Sequence, residues 1–325
     1  MRKGKQKFAT RLKEEFNFDV SGLTSYVDEQ STEILTELVL GGDLVSRIQV
    51  MEGIKGSEKI KLLSMDTPLQ SADSCGRTPD GDIVFTDKTI EVTPVKIDMS
   101  VCNKTLKGTW AQMLLALGKR AEKEQLPLED VISAFVIKRG RLKNQELMMK
   151  GDTTSLNPDL AHYDGFIKKW LADSAMYSEP FTGTITVTNA FARFQALANV
   201  IPDVLFDNGF NPEIICSRAD AQLVLNNIYN DKDYSADIQV SREGGQLSFV
   251  LPTTGTTVRS YPQLAKDQVF AVPYEFMFFG TDLEGDIDEF FLKYDDLTEK
   301  IYFGSEWASG IQYVYPEYFG KLVIS

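Results

Sequence analysis

Histidine is almost absent: the 325-residue chain has one, His162. A Ser–His–Asp triad or an imidazole-bound metal would rest on that side chain alone. Asp164 is near it, but His162–Phe166 reads as a turn that follows a helix start at Pro158. Cysteine is scarce too. Cys75, Cys102 and Cys216 show no CxxC spacing, which removes the usual zinc patterns and fits reduced thiols in a cytoplasmic product. Neither GxGxxG nor GxxxxGK[ST] occurs, so the glycine-rich phosphate cradles are missing. No apolar run approaches the ~18–20 residues of a membrane span. The N-terminus MRKGKQKFATRLKEEF carries charge but no apolar core, so it does not read as a secretory signal. There are no internal repeats and no low-complexity tracts.

Carboxylates are plentiful but not arranged for chemistry. Asp282, Glu284, Asp286 and Asp288 alternate in DLEGDIDE and invite a calcium reading. Counted from Asp282, an EF-hand wants Gly at position six and Glu at twelve, and Ile287 and Lys293 stand there. An acidic loop between strands is the plainer reading. Glu306 and Trp307, in GSEWASG, do not form a nucleophile elbow. The expectation is therefore a chain with no catalytic residues, no cofactor and no metal, hence not an enzyme.

Charge is distributed unevenly. Residues 1–16 hold Arg2, Lys3, Lys5, Lys7, Arg11 and Lys13 against Glu14 and Glu15, a net +4. The whole chain stands at −13, which leaves −17 on the rest. So acidic a body repels nucleic acid, whose binding rests on phosphate neutralisation. The basic arm can touch nucleic acid, or pair with the acidic body of a neighbouring copy. The expectation is the second, with these six residues serving self-assembly.

Along the chain, Ile34, Leu35, Leu38 and Val39 suggest a short amphipathic piece ending at Gly41–Gly42. Asp80–Gly81 after Pro79 is a strong turn signal, and Ile83–Phe85 and Thr89–Val101 read as strand beyond it. Apolar residues fall on even numbers at Ile90 and Val92, then on odd ones from Val95 to Val101. A one-residue slip turns side chains to the other face, and Pro94 is where a bulge or bend is expected. The segment reads as a long, bent hairpin. Trp110, Met113, Leu114 and Leu117 have helical spacing. Pro127 then opens a second helix, with acids in its first turn, bases later, and Leu128, Val131, Ile132 and Phe135 as a narrow stripe. A rod of roughly 36 Å is expected, with Gly140 as a candidate bend.

From Pro180 the texture becomes α/β. Thr182–Val187 reads as strand, followed by a helix capped by Thr188 and carrying Phe191, Phe194, Leu197, Ile201, Val204 and Leu205. Ile214–Ser217 reads as strand, Ala219–Tyr229 as helix and Gly255–Ser260 as strand. The last sixth of the chain is dense in aromatic residues. Its strand-like runs are Phe270–Phe279, Phe290–Tyr294, Lys300–Phe303 and Gly310–Tyr315, punctuated by Gly280, Gly285, Asp295–Asp296 and Gly304. So many rings exceed what one small core hides, and some are expected to face other subunits.

The order of parts resembles the major capsid proteins of tailed bacteriophages with the HK97-type fold. The likeness is one of layout and texture over nearly the whole chain. Its carriers are MMKGDTTSLNPDLAHYDGF after the rod helix, NPEIICSRADAQLVLNNIYN, TTGTTVRSYPQ and FGSEWASGIQYVYPEYF. The family's "GF" turn falls on Gly165–Phe166, its axial strand and helix on Ile214–Tyr229, its G-x-x-V strand on Gly255–Val258, and its closing G-[IV]-x-x-x-x-P strand on Gly310–Pro316.

The resemblance implies an α+β, HK97-like capsid fold. It would comprise an N-terminal arm (1–30), the start of a peripheral domain (31–64) and an extended loop (65–100). The peripheral domain would continue over 101–179 with its spine helix at 127–150. An axial α/β domain (180–267) and return strands (268–325) complete it. The implied function is an icosahedral shell around double-stranded DNA, located in the virion and assembled in the host cytoplasm. The implied partners are other copies in hexamers and pentamers, a separate scaffold, a portal, decoration proteins and weakly contacted DNA, with no membrane. Candidate assembly residues besides the six basic ones are Asp80, Gly81, Pro94 and Trp307. The chain leaves no room before the arm for the scaffold-like segment that some members carry. Lys88 and Lys96 lie in the loop, but no Asn or Glu partner can be assigned, so no covalent cross-link is expected. Alternatives are an encapsulin-like cargo shell and a soluble hydrolase using the C-terminal carboxylates. Size separates the hydrolase from either shell.

Overall fold

The computed structural model describes residues 35–65, 83–102, 128–230, 238, 240–243, 246–283, 290–295, 297–298 and 300–324. In chain order its elements are β1 (Gln49–Met51), β2 (Ser57–Met65), β3 (Ile83–Glu91), β4 (Thr93–Cys102), α1 (Leu128–Lys150), α2 (Phe166–Ala172), β5 (Tyr177–Phe181), α3 (Ala190–Val200), α4 (Asp203–Asp207) and β6 (Glu213–Cys216). They continue with α5 (Arg218–Asn230), β7 (Ser241–Glu243), β8 (Gln246–Val250), β9 (Thr257–Ser260), β10 (Val269–Val272), β11 (Met277–Thr281), β12 (Phe290–Asp295), β13 (Lys300–Tyr313) and β14 (Gly320–Ile324).

The chain divides into two compact units. One comprises Met1–Val39, Lys96–Gly140 and Gly285–Trp307; the other Leu40–Val95, Arg141–Glu284 and Ala308–Ser325. In the first unit residues 35–40 begin with a helical turn whose Leu35, Leu38 and Val39 are buried. Gly140 of α1 is buried against Leu38 and Ile97. A β-carbon there would come within 2.9 Å of Leu38 Cδ1, so this glycine serves a close approach. β12 and the first half of β13 form an antiparallel pair from Phe290↔Ser305 to Asp295↔Lys300. At its tip Asp295 accepts bonds from Leu297 N and Thr298 Oγ1.

The second unit centres on a seven-stranded sheet in the order β5-β14-β10-β6-β9-β8-β7. Helices α3 and α5 bury Phe194, Leu197, Val224 and Ile228 in the same apolar cluster as Ile214, Phe249, Val258 and Val269. Both helices show apolar residues at three- and four-residue spacing, which makes one buried stripe each. Trp170 of α2 stacks on Phe166 at 5.3 Å and approaches Phe270 of β10 at 5.0 Å. Nearby, β1 runs parallel to β11, β11 pairs antiparallel with the end of β13, and β4 also pairs with β13. β2 and β3 form an antiparallel ribbon from Ser57↔Glu91 to Met65↔Ile83.

Several expectations are corrected. The rod helix is present as α1, but its end is not a narrow stripe: Leu147, Met148 and Met149 are all buried. No helix starts at Pro158; residues 158–160 form a turn closed by Leu160 N bonding to Asn157 O. The hairpin's first strand is Ser57–Met65, so the ribbon begins before residue 65. The strand break falls at Val92 rather than at Pro94, although Val92 N still bonds Gly56 O one step beyond the Ser57↔Glu91 pair. Pro94 sits exposed inside β4. Thr182–Val187 is irregular, and the strand lies earlier at Tyr177–Phe181. Thr188 does not cap α3: Asn189 precedes the helix, and Thr186 O takes the Ala190 amide. Pro202 splits the long expected helix into α3 and α4. Pro273 and a 3-10 turn at Tyr274–Phe276 split the run 270–279, whereas 300–313 is one strand through Gly304. β10 and β14 pair beside β6 and β5 in the seven-stranded sheet.

Candidate assembly surfaces

Several polar side chains of the described residues are held by the backbone or by one another. After α1, residues 151–165 form a tight loop. Gly165 N donates to Gly151 O at 2.7 Å, and a β-carbon on Gly165 would lie 2.6 Å from Met149 O. Lys168 bridges Asp152 and Asp164, 2.7 Å from each, and Asp164 also accepts the amide and hydroxyl of Thr153. The Lys168 ammonium and the Thr154 hydroxyl and amide hold the Asp152 carboxyl down to about 2. Asp164 is thus committed to the loop rather than to His162, which sits half-buried in the bend.

Three lysines are likewise spent on carbonyls. Lys321 is buried and donates to Trp170 O, Leu171 O and Asp173 O at 2.7–3.2 Å, closing the C-terminal end of α2. A cation there meets the negative end of the helix dipole. Lys169 donates to Ile311 O at 2.6 Å, and burial pushes its pKa below the usual lysine range. Lys88 donates to Tyr313 O at 3.2 Å and lies 4.7 Å above the Tyr313 ring.

A second network ties the 43–47 segment to the sheet. Arg259 bonds Glu213 at 2.9 Å, Arg47 reaches the same carboxylate at 3.6 Å, and Tyr261 bridges Asp43 and Tyr274. At the start of α5, Ser217 Oγ accepts the Asp220 amide and donates to Asp220 Oδ2, which also accepts Asp267 N. Burial raises the Asp220 pKa, and Asp267 is held at a φ of 66°. Among the described residues no group of three His, Cys, Asp or Glu side chains could hold a metal.

Apolar surface is what remains. On the β2–β3 ribbon Leu63 pairs with Phe85, and Phe85 is 72% exposed, with Ile83 and Val84 beside it. The ribbon's other face lines a groove of about 660 Å³ with Leu62 and Thr86. Helix α4 supplies Val204 and Leu205 to its lining. Phe210, Phe276, Tyr315 and Tyr318 also line it, all half-buried. Phe276 stands 5.1, 5.3 and 5.5 Å from the other three rings. Tyr315 has a φ of 53°, a strained setting of the kind found at functional positions.

Of the candidate assembly residues, Arg2, Lys3, Lys5, Lys7, Arg11, Lys13, Asp80 and Gly81 lie outside the described residues, as do the acidic stretch 284–289 and the helical spacing at 110–117. Trp307 is buried in β13 at 2% exposure. Pro94 lies exposed in β4. The groove's rings were missed as a group. The signal was the aromatic density of the last sixth: Phe270, Phe279, Tyr313 and Phe319 went into the core, while Phe276, Tyr315 and Tyr318 did not.

No protein-family model matches the chain, and no curated protein does. Solved structures do. A chain of the satellite phage P4 procapsid, described together with its size determination (Sid) protein, aligns over 90% of this chain and 97% of its own, at TM-score 0.58 and 13% identity. The capsid of the Myoviridae phage XM1 aligns over 90% and 92%, at TM-score 0.51 and 14% identity. The capsid of an empty GTA particle aligns over 87% and 90%, at 0.53 and 10%. At such identities the likeness is one of fold, and the chain has the mixed α/β, HK97-like capsid fold.

Proposed function

We propose that this chain is the major capsid protein of a tailed double-stranded DNA bacteriophage, its copies assembling as pentamers and hexamers into the virion's icosahedral shell. One observation carries the reading: the fold is shared with a procapsid chain over 90% of this chain and 97% of that one. A likeness spanning both chains concerns the whole architecture rather than one module. Two features support it. Among the described residues, Lys321 and Lys169 are bonded to backbone carbonyls and Lys168 to two carboxylates. The ribbon's apolar face, with Phe85 at 72% exposure, is the kind of surface that other subunits cover.

In this reading the arm is about 1–30, the extended loop about 65–100 and the spine helix α1, with an axial module built on β6, α5 and β9. Scaffold and portal are separate proteins, and decoration proteins bind outside. The acidic body touches packaged DNA weakly. The test is electron microscopy and sizing of the full-length protein, expressed alone and with the products of its neighbouring genes. Megadalton icosahedral particles are expected. A small oligomer under both conditions would sink the proposal. Particles that carry a cargo enzyme and lack portal and DNA would replace it with a storage shell.

A further inference from the structure

We propose that the aromatic groove receives the basic N-terminal segment, residues 2–13, of a second copy of this chain. The inference rests on the shell reading and names one contact within it.

The groove's chemistry selects its occupant. Four half-buried rings form a compact patch with Phe276 at its centre. Such a surface takes apolar side chains and, over its ring faces, cations. The charges around it leave a negative remainder. Lys88, the only basic lining residue among the described residues, has its ammonium engaged by the Tyr313 carbonyl and ring. Asp87 is paired with Lys59 at 3.2 Å. Glu317 lines the groove exposed, with no partner among the described residues. Asp203 and Asp207 lie exposed on α4, the helix that contributes Val204 to the lining.

The N-terminal stretch has the opposite sign and, unlike the body as a whole, is rich in cations. Residues 1–16 carry +4 while the remainder carries −17. Within RKGKQKFATRLK, Phe8 and Leu12 supply apolar groups among the cations. Residues 14–34 separate this segment from the first described residue, and extended they reach up to ~70 Å, enough to cross to another molecule. Segment and groove are different surfaces, so copies joined this way make a head-to-tail contact of the kind that closes into rings.

The test is a charge swap in the full-length chain, read as particle yield. Glu317→Lys, and separately Lys5→Glu with Lys7→Glu, should each lower the yield about fivefold or more, because a weak exposed ion pair repeats at every subunit. Combining the two should restore it. Loss without restoration, or no loss in Glu317→Lys, overturns the inference and leaves the shell reading standing. A second measurement does not depend on yield. Phe8→Cys with Asn208→Cys, oxidised in the particle, should give a ladder of linked chains that neither single variant gives. A link within one chain, or no link, also overturns it. If the unaltered chain never forms particles, both readings fall together.

Discussion

Gly310 gives the sharpest test of the fold. It lies in β13 opposite Gly280 of β11. A β-carbon on Gly310 would press on the Glu91 carbonyl oxygen, with the Glu91 carbon at 2.8 Å and Val92 Cα at 3.2 Å. These are backbone atoms, and the passage from β3 to β4 cannot yield without pulling Val92 N from Gly56 O. On Gly280 the new carbon would meet Ile54 Cδ1 at 2.7 Å and Ile90 Cδ1 at 2.9 Å, the far ends of side chains that can turn aside. At Gly42 the nearest atom is Val45 Cγ2 at 3.6 Å, an ordinary contact. One substitution thus has three expected costs. Gly310→Ala should lose about 3 kcal/mol, at the upper end of overpacking. Gly280→Ala should lose about 1 kcal/mol. Gly42→Ala should be near neutral, or gain up to ~1 kcal/mol through the unfolded chain. At roughly 1.5 °C per kcal/mol for a chain of 325 residues, Gly310→Ala lowers Tm by about 4–5 °C, measured by circular dichroism on the unassembled chain. A Gly310→Ala Tm within about 2 °C of the parent, or a larger loss at Gly280, would refute the packing argument.

Two further outcomes follow from the lysines and the loop. Lys321→Met keeps the aliphatic stem but strips three carbonyls of their donor, so it should cost about 3 kcal/mol by thermal unfolding. Lys150→Met, at an exposed pair with Glu146, should change almost nothing. The Asp152 carboxyl is held at about 2, below its unfolded value near ~4, so its contribution is present above the higher value and is lost as pH falls through the lower. Peptic cleavage within residues 151–165 should therefore rise between about pH 4 and 2. In Asp152→Asn it should be high already at pH 4 and rise no further; a parental profile in that variant would count against the bridge.

Legibility followed the range of the force. The start of α1 after Pro127, the strand at Ile214 and the helix beyond it depend on neighbours within a turn or two, and they were readable. Two of the glycines singled out by family likeness, Gly165 and Gly310, have a steric reason that only the folded chain displays: backbone from another segment passes too close for a side chain. Gly304 misled for the opposite reason. It looks like a turn residue, yet it pairs with Phe291 inside a continuous ladder. Pro180 lies inside β5, which is the edge of its sheet, where a missing amide donor is tolerated. The parallel pairings of β1 with β11 and of β5 with β14 join segments far apart in sequence. Nothing local encodes them. The groove inherits that limit, because its lining comes from the ribbon, α4 and the turn at Pro316–Tyr318.

The basic side chains complete the argument for assembly. In the described body, lysines and arginines are largely committed: Lys321 and Lys169 to carbonyls, Lys88 to a carbonyl and a ring, Lys168 to two carboxylates, Arg259 to Glu213. A cation already bonded to its own chain has little left for a partner. The body's acids are more numerous than such bonds can absorb, so its outward field is negative and copies of it repel. An apolar face such as that around Phe85 brings copies together only if something offsets that repulsion. The first sixteen residues carry net positive charge, +4. In the proposed shell, a neutral or acidic arm on this same body should make assembly depend on high salt, whereas the basic arm should make it strongest at low ionic strength.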